Sequence, residues 1–111
     1  MAGNVRVRRA AKIDANQPEI VKALREAGAA VTSLAAVGQG VCDLLVTFRG
    51  QTYLVEVKDG AKPPSQRQLT PDQIKWHGEQ RTKVHVVHNV DQALAVIGAV
   101  RDVRSAGLDL V

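Results

Sequence analysis

Asp43, Glu56 and Lys58 are the residues of this 111-residue chain whose types and spacing best fit chemistry. They lie in two short segments, 42–48 (CDLLVTF) and 51–58 (QTYLVEVK), separated by Arg49-Gly50. Both segments have the Val-, Leu-, Thr- and aromatic-rich composition of strands, and a Gly-containing pair suits a two-residue hairpin loop. With that loop, Phe48 faces Gln51 and Asp43 falls opposite Glu56. Directly opposed residues have Cβ atoms about 4.5–5.5 Å apart on one face of the sheet, and Lys58, two residues on, shares that face. Two ionised carboxylates at about 5 Å repel by roughly 3 kcal/mol at an effective dielectric near 20. The simplest compensator is a hard divalent cation such as Mg²⁺, with Lys58 as a fixed positive charge beside it. The plainer alternative is a surface Asp43 next to an ordinary Glu56–Lys58 ion pair along one strand.

The elements around this hairpin follow from periodicity. Residues 17–28 read as an amphipathic helix with Ile20, Val21, Leu24 and Ala27 on one stripe and Gly28 as its stop. Residues 30–36 read as a first strand leading into the Gly38–Gly40 loop. After the hairpin, 59–69 is a polar, Pro-containing loop, and Thr70-Pro71-Asp72-Gln73 opens a helix to about Gln80. Lys83–His88 is a strand, and Asn89 caps a last helix with Ala93, Leu94, Ile97 and Val100 inward. The order is αβββαβα. Leu44, Val46 and Phe48 point to one face of the hairpin while Leu45 and Leu54 share the carboxylate face, so both faces need cover. The expected fold is a small mixed sheet flanked by helices.

Composition sets the limits. With 45% apolar and 23% charged residues the chain is an ordinary globular domain, read as residues 14–111 behind a basic arm at 1–13. That arm carries Arg6, Arg8, Arg9 and Lys12 and no acidic residue, which suits contact with a phosphate backbone as well as it suits a solvated tail or an edge strand. A net charge of +4 favours a polyanionic partner. Trp76, Tyr53 and Phe48 are the only aromatics of their kinds, which argues against binding nucleic acid by base stacking. One cysteine, Cys42, cannot form an internal disulfide; we read it as a buried small residue in a protein of a reducing cytoplasm. No apolar run approaches the roughly 20 residues that would span a membrane.

Several polar residues admit two readings. Gln17 precedes Ile20, Val21 and Leu24 by three, four and seven positions, so it projects from the buried face, whereas Glu19 lies nearer solvent. Gln17 therefore stands ahead of Glu19 and Asp14 as a site residue. Alternatively, Asp14-Ala15-Asn16-Gln17 is a capping box. Gln73 completes a second capping box with Thr70, which explains it fully in structural terms. Lys62, Arg67 and Lys75 are candidate phosphate contacts; Trp76 faces either nucleic acid or the core. His77, His85 and His88 show no metal-ligand spacing and are read as structural or exposed.

Asp43 followed by Glu56-Val57-Lys58 across a hairpin resembles the D…(D/E)-x-K signature of the PD-(D/E)XK nuclease superfamily. Gly38-Gln39-Gly40-Val41-Cys42-Asp43 resembles the Gly-x-Pro-Asp lead-in of its small VRR-NUC branch, with Cys42 where that branch usually has Pro. Leu69-Thr70-Pro71-Asp72-Gln73 resembles the branch's helix opening after the E-x-K strand. More distantly, the chain resembles archaeal Holliday-junction resolvases, whose helix glutamate matches Gln17 when counted back from Gly28. The resemblance spans roughly residues 14–97. It implies a restriction-endonuclease-like core and Mg²⁺- or Mn²⁺-dependent hydrolysis of DNA phosphodiester bonds, structure-selective and endonucleolytic. It implies that Asp43, Glu56, the Val57 carbonyl and Gln17 hold the metal. Lys58 would handle the attacking water, and Gln73 would reach towards the site. It also suggests a phage-type enzyme acting in the bacterial cytoplasm as a homodimer or with a partner protein supplying specificity. The rival expectation is a non-catalytic DNA-binding or adaptor protein that keeps the fold, for which the neutral Gln17 is the argument.

Overall fold

A computed structural model describes residues 13–99; the basic arm at Arg6, Arg8, Arg9 and Lys12, and Val100 of the last apolar stripe, lie outside the described residues. The elements are α1 (Gln17–Glu26), β1 (Ala30–Ser33), β2 (Leu44–Phe48), β3 (Gln51–Val57), α2 (Pro71–Glu79), β4 (Val84–Val87) and α3 (Val90–Val96), in the expected order. A single 3₁₀ turn at Pro64–Gln66 is an addition within the polar loop. The four strands form one sheet in the order β1-β2-β3-β4, antiparallel except for the parallel β3–β4 pair. The mixed sheet flanked by helices is therefore as expected.

The hairpin register is the one read from the sequence, with Phe48 opposite Gln51 and Leu44 opposite Val55. Arg49 and Gly50 both take positive φ, at 50° and 79°, which is the twist that a two-residue loop between right-twisted strands needs. A side chain in this region is strained, and the Arg49 guanidinium offsets part of that by lying 4.9 Å from the centre of the Phe48 ring.

One face of the sheet carries the apolar core. Leu44 and Val46 of β2, Val55 and Val57 of β3 and Val87 of β4 meet Ile20 and Leu24 of α1 and Ala93 and Leu94 of α3. Gly28, at φ 104°, ends α1, and the next residue's N–H closes back on the Leu24 carbonyl at 3.0 Å. The other face carries the acidic residues and is covered by α2, which buries none of its own side chains and meets the sheet through polar groups.

One expected strand end and one expected cap differ. β1 stops at Ser33 rather than Ala36, because the Ser33 hydroxyl accepts the Ala35 N–H (3.3 Å) and offers the backbone a turn in place of the ladder. α1 starts at Gln17 as expected, but its capping is different. Asn16 is the N-cap without a side-chain cap bond, and the Asp14 carboxylate leaves the helix to accept the Asp59 N–H at 3.1 Å. The Asp14–Gln17 capping box is thus not formed. Asn16 instead donates to the His88 carbonyl at 3.0 Å, so the entry to α1 is tied to the ends of β3 and β4.

The Gly38–Gly40 loop packs against the start of α2. A Cβ on Gly40, whose φ is 84°, would run into the Asp72 carbonyl, whereas one on Gly38 would meet nothing. Gly38→Ala is expected to cost about 1 kcal/mol, the strain of positive φ alone, and Gly40→Ala about 2–4 kcal/mol, because overpacking adds to it. Urea denaturation of both variants measures the difference; equal losses would show that the loop does not bear on α2.

Candidate active site

The two carboxylates meet at the end of the hairpin where β2 begins and β3 ends. Asp43 stands one residue before β2, opposite Glu56, and its Oδ2 accepts the Val57 N–H at 2.7 Å. Glu56 sits in the penultimate position of β3, only 1% exposed. Its alternation partners Val55 and Val57 belong to the core, so the period of the strand fixes its carboxylate on the opposite face, under α2.

Glu56 has a partner for each oxygen. Gln73 Nε2 donates to Oε2 at 3.2 Å, and His77 Nε2 lies 3.3 Å from Oε1. Lys58 Nζ is 3.9 Å from Oε2. These contacts do not keep the group acidic. Burial, followed by the charge of Asp43 and a hydrogen bond with it, pushes the Glu56 carboxyl up to about 9, against the weaker pull of Lys58. Burial and the Lys58 charge lower the pKa of His77, so its imidazole is more readily neutral than a free one.

Gln73 organises the cationic side. Its Oε1 accepts from Lys58 Nζ at 2.8 Å and from the Thr70 N–H at 2.9 Å, while its own N–H donates to Thr70 Oγ1 at 3.2 Å. The capping box and the reach into the site, which the sequence offered as alternatives, are both made by one amide. Its orientation is determined: Nε2 faces the acceptor Glu56 and Oε1 the donor Lys58.

A cleft of about 300 Å³ opens over these groups, lined among others by Asp14, Asp43, Glu56, Lys58, Gln73 and the Gly38–Gly40 loop. Asp14 is the acidic residue that the start of α1 brings to the cleft. Its Oδ1 lies 3.9 Å from Lys62 Nζ, and Arg67 holds the Lys62 carbonyl through its Nε at 2.8 Å. Gln17 is 5% exposed and, among the described residues, its Oε1 has no hydrogen-bond partner and the apolar groove it lines shares no lining residue with the cleft. Glu19 is exposed. Lys75 and Trp76 border a neighbouring cavity. Cys42 is buried, with its thiol pushed up to about 11 by burial and by Glu56.

His77 is the site neighbour that sequence reasoning missed. It follows Gln73 by four residues, so the two must share a helix face, and a functional Gln73 would have pointed to it. Among the described residues, no three carboxylate, imidazole or thiol side chains cluster closely enough to hold a metal ion by themselves. The carboxylates lining the cleft are Asp14, Asp43, Glu56 and Asp72, of which Asp43 and Glu56 are the opposed pair of the hairpin.

A solved structure described as a VRR_NUC domain is similar to this chain, with 30% identity, a TM-score of 0.54, and coverage of 73% of this chain and 88% of the other. The chain belongs to the VRR-NUC domain family. The sheet and its flanking helices are thus those of a nuclease-domain fold with a restriction-endonuclease-like core. No protein-family model matches the chain. No curated protein matches it either. No helix among the described residues is long and apolar enough to cross a membrane.

The pKa of Glu56 has a consequence for stability. Its folded value of about 9 lies above the ordinary 4.5, so the folded state binds the proton more tightly. Metal-free stability should then be greatest at acid pH and fall as pH rises between those two values. Glu56→Gln keeps the acceptor for Gln73 and removes the charge; in EDTA at pH 8 it should raise stability by about 2 kcal/mol and flatten this slope. Urea denaturation across pH tests it, and an unchanged slope would mean that Glu56 is not the group being titrated.

Proposed function

We propose that this protein is a divalent-metal-dependent nuclease that hydrolyses DNA phosphodiester bonds. The observation that carries the reading is the buried Glu56 forced against Asp43, with Lys58 aimed at the same place by Gln73. Two like charges held together in a cleft disfavour ionisation of both unless a cation joins them.

The residues present fit such a cation. Mg²⁺ prefers oxygen ligands, binds through one or two carboxylates and keeps several waters, so it needs no cage of three or more side chains. Asp43, Glu56 and the Val57 carbonyl would hold it. When bound, it supplies charge stabilisation at a phosphodiester oxygen and a more acidic water. The chain's own residues do the rest. Lys58 orients the attacking water and offsets the negative charge that develops on the phosphorus oxygens. Gln73 keeps the Lys58 ammonium from collapsing onto Glu56, since its carbonyl takes that donor at 2.8 Å while the carboxylate stands at 3.9 Å. Lys62 and Arg67 lie beside the cleft, where they can meet the strand leading away from the cut. Gln17 remains a candidate site residue through its unsatisfied carbonyl oxygen.

Labelled linear, single-stranded, flapped and four-way-junction DNA should be cut in Mg²⁺ or Mn²⁺ and left intact in EDTA. Lys58→Ala should lower the rate by about 10²–10³-fold, the effect of removing one group aimed at transition-state charge. Asp43→Asn should abolish cutting and leave DNA affinity equal or higher, since it removes a charge that repels phosphate. Activity that survives in Asp43→Asn would refute this site. DNA binding without cutting on any substrate would favour the adaptor reading, to which the neutral Gln17 belongs.

A further inference from the structure

Next to the catalytic cleft is a second cavity of about 330 Å³, lined by Gln39, Asp72, Lys75, Trp76 and Glu79. It shares Gln39 and Asp72 with the cleft, so the two are adjoining compartments divided by the loop residue and the first turn of α2. The divider is held against the first turn of α2. Gln39 takes φ 58°, a strained value for a residue with a side chain, between two glycines of positive φ. Gly40 lies against the Asp72 carbonyl so closely that no Cβ would fit. We infer that this cavity is a subsite for one unpaired nucleobase of the DNA strand being cut, with Trp76 as its stacking surface.

The chemistry of the lining selects this ligand. Trp76 is half-buried and, among the described residues, makes one aromatic contact, an edge-on approach to His77 with ring centres 6.0 Å apart, so no other described ring covers its indole face. Asp72 and Glu79 supply acceptors suited to the amino groups of cytosine, adenine or guanine, and the Gln39 amide can both donate and accept. Among the described residues none of these three side chains, nor the indole N–H, is engaged in a hydrogen bond or ion pair. Two carboxylates against the single Lys75 make the cavity a poor phosphate site. A base is neutral, flat and rich in polar edges, and Lys75 at the rim can take the phosphate attached to it. One indole cannot support a run of stacked bases, but one base next to the scissile phosphate needs only one. A paired base would first have to leave its stack, so the cavity favours DNA that already carries an unpaired nucleotide there.

The inference rests on the nuclease reading and deepens it, and a single tryptophan makes it directly observable. The full-length protein in EDTA is titrated with a duplex containing a central cytosine bubble and with its fully paired counterpart, following tryptophan emission and affinity. The bubble should quench the emission and bind more tightly than the paired duplex. Trp76→Ala should weaken bubble binding about ten-fold and change paired-duplex binding little, the loss expected for one stacked base. Trp76→Phe should restore most of it, which separates stacking from a folding defect. Equal emission on both DNAs, or equal weakening of both by Trp76→Ala, would overturn the subsite while leaving the nuclease reading standing. Failure of the wild-type protein to bind either DNA in EDTA, and to cut either in Mg²⁺ or Mn²⁺, would overturn both.

Discussion

The alternation of β3 is the constraint on which the rest of the molecule depends. Val55 and Val57 are 1% and 2% exposed on the core face, so Glu56 between them has to point the other way. Antiparallel pairing then sets Asp43 across from it, because the same register puts Leu44 opposite Val55. A slip of one residue would separate the carboxylates but would also turn Leu44 and Val46 out of the core. Full burial of a Val or Leu side chain is worth about 1.5–3 kcal/mol, and the two together, about 3–6 kcal/mol, match or outweigh a repulsion of roughly 3 kcal/mol between two carboxylates. The core enforces the acidic pair.

The helix over that pair is held by the groups it covers. With no side chain of α2 buried, its attachments to the described structure are the Gln73 and His77 contacts to Glu56, the Lys58–Gln73 bond, and the close approach of Gly40 at its first turn. Placement of α2 and polarity of the site are therefore one problem. A cation entering the cleft would change the charge on Glu56, and Glu56 is also what α2 rests on. Gln73 is suited to this position because an amide offers a donor and an acceptor in fixed relation, which neither a carboxylate nor an ammonium does.

Much of this was legible in the chain because it depends on short-range rules. Arg49-Gly50 determined the hairpin register, and through it the Asp43–Glu56 pair. The Ile20–Leu24 stripe gave the buried face of α1, and Thr70-Pro71 marked the start of α2. What was missed needed contacts between distant segments. The Asp14 carboxylate had two local uses on paper, as a cap or as a site residue, but its partner is Asp59, 45 residues away. His77 had no chemistry of its own in the sequence and acquires a role only from the strand beneath it. β1 is shorter than its composition suggests because a hydroxyl at Ser33 competes for the next turn's N–H. Gln17 shows how the two kinds of information differ: its burial was readable from helix periodicity, whereas the groove it lines was not.

Unfavourable features concentrate at one end of the sheet. The raised Glu56 carboxyl, the buried Asn16 Oδ1 and Gln17 Oε1 without hydrogen-bond partners, and the strained Gln39 all belong to the segments that gather where β3 ends and α1 begins, or to the loop facing them. An unsatisfied buried acceptor costs about 1–3 kcal/mol, so two of them are a substantial fraction of the stability of a small domain. The opposite end of the hairpin carries one such feature, the positive φ of Arg49, in a turn that suits the strand twist and with the guanidinium over the Phe48 ring offsetting part of the strain. A chain selected for stability alone would not distribute its faults so unevenly. The uneven distribution is what a site requires when its charges and acceptors are placed to meet something other than the protein itself.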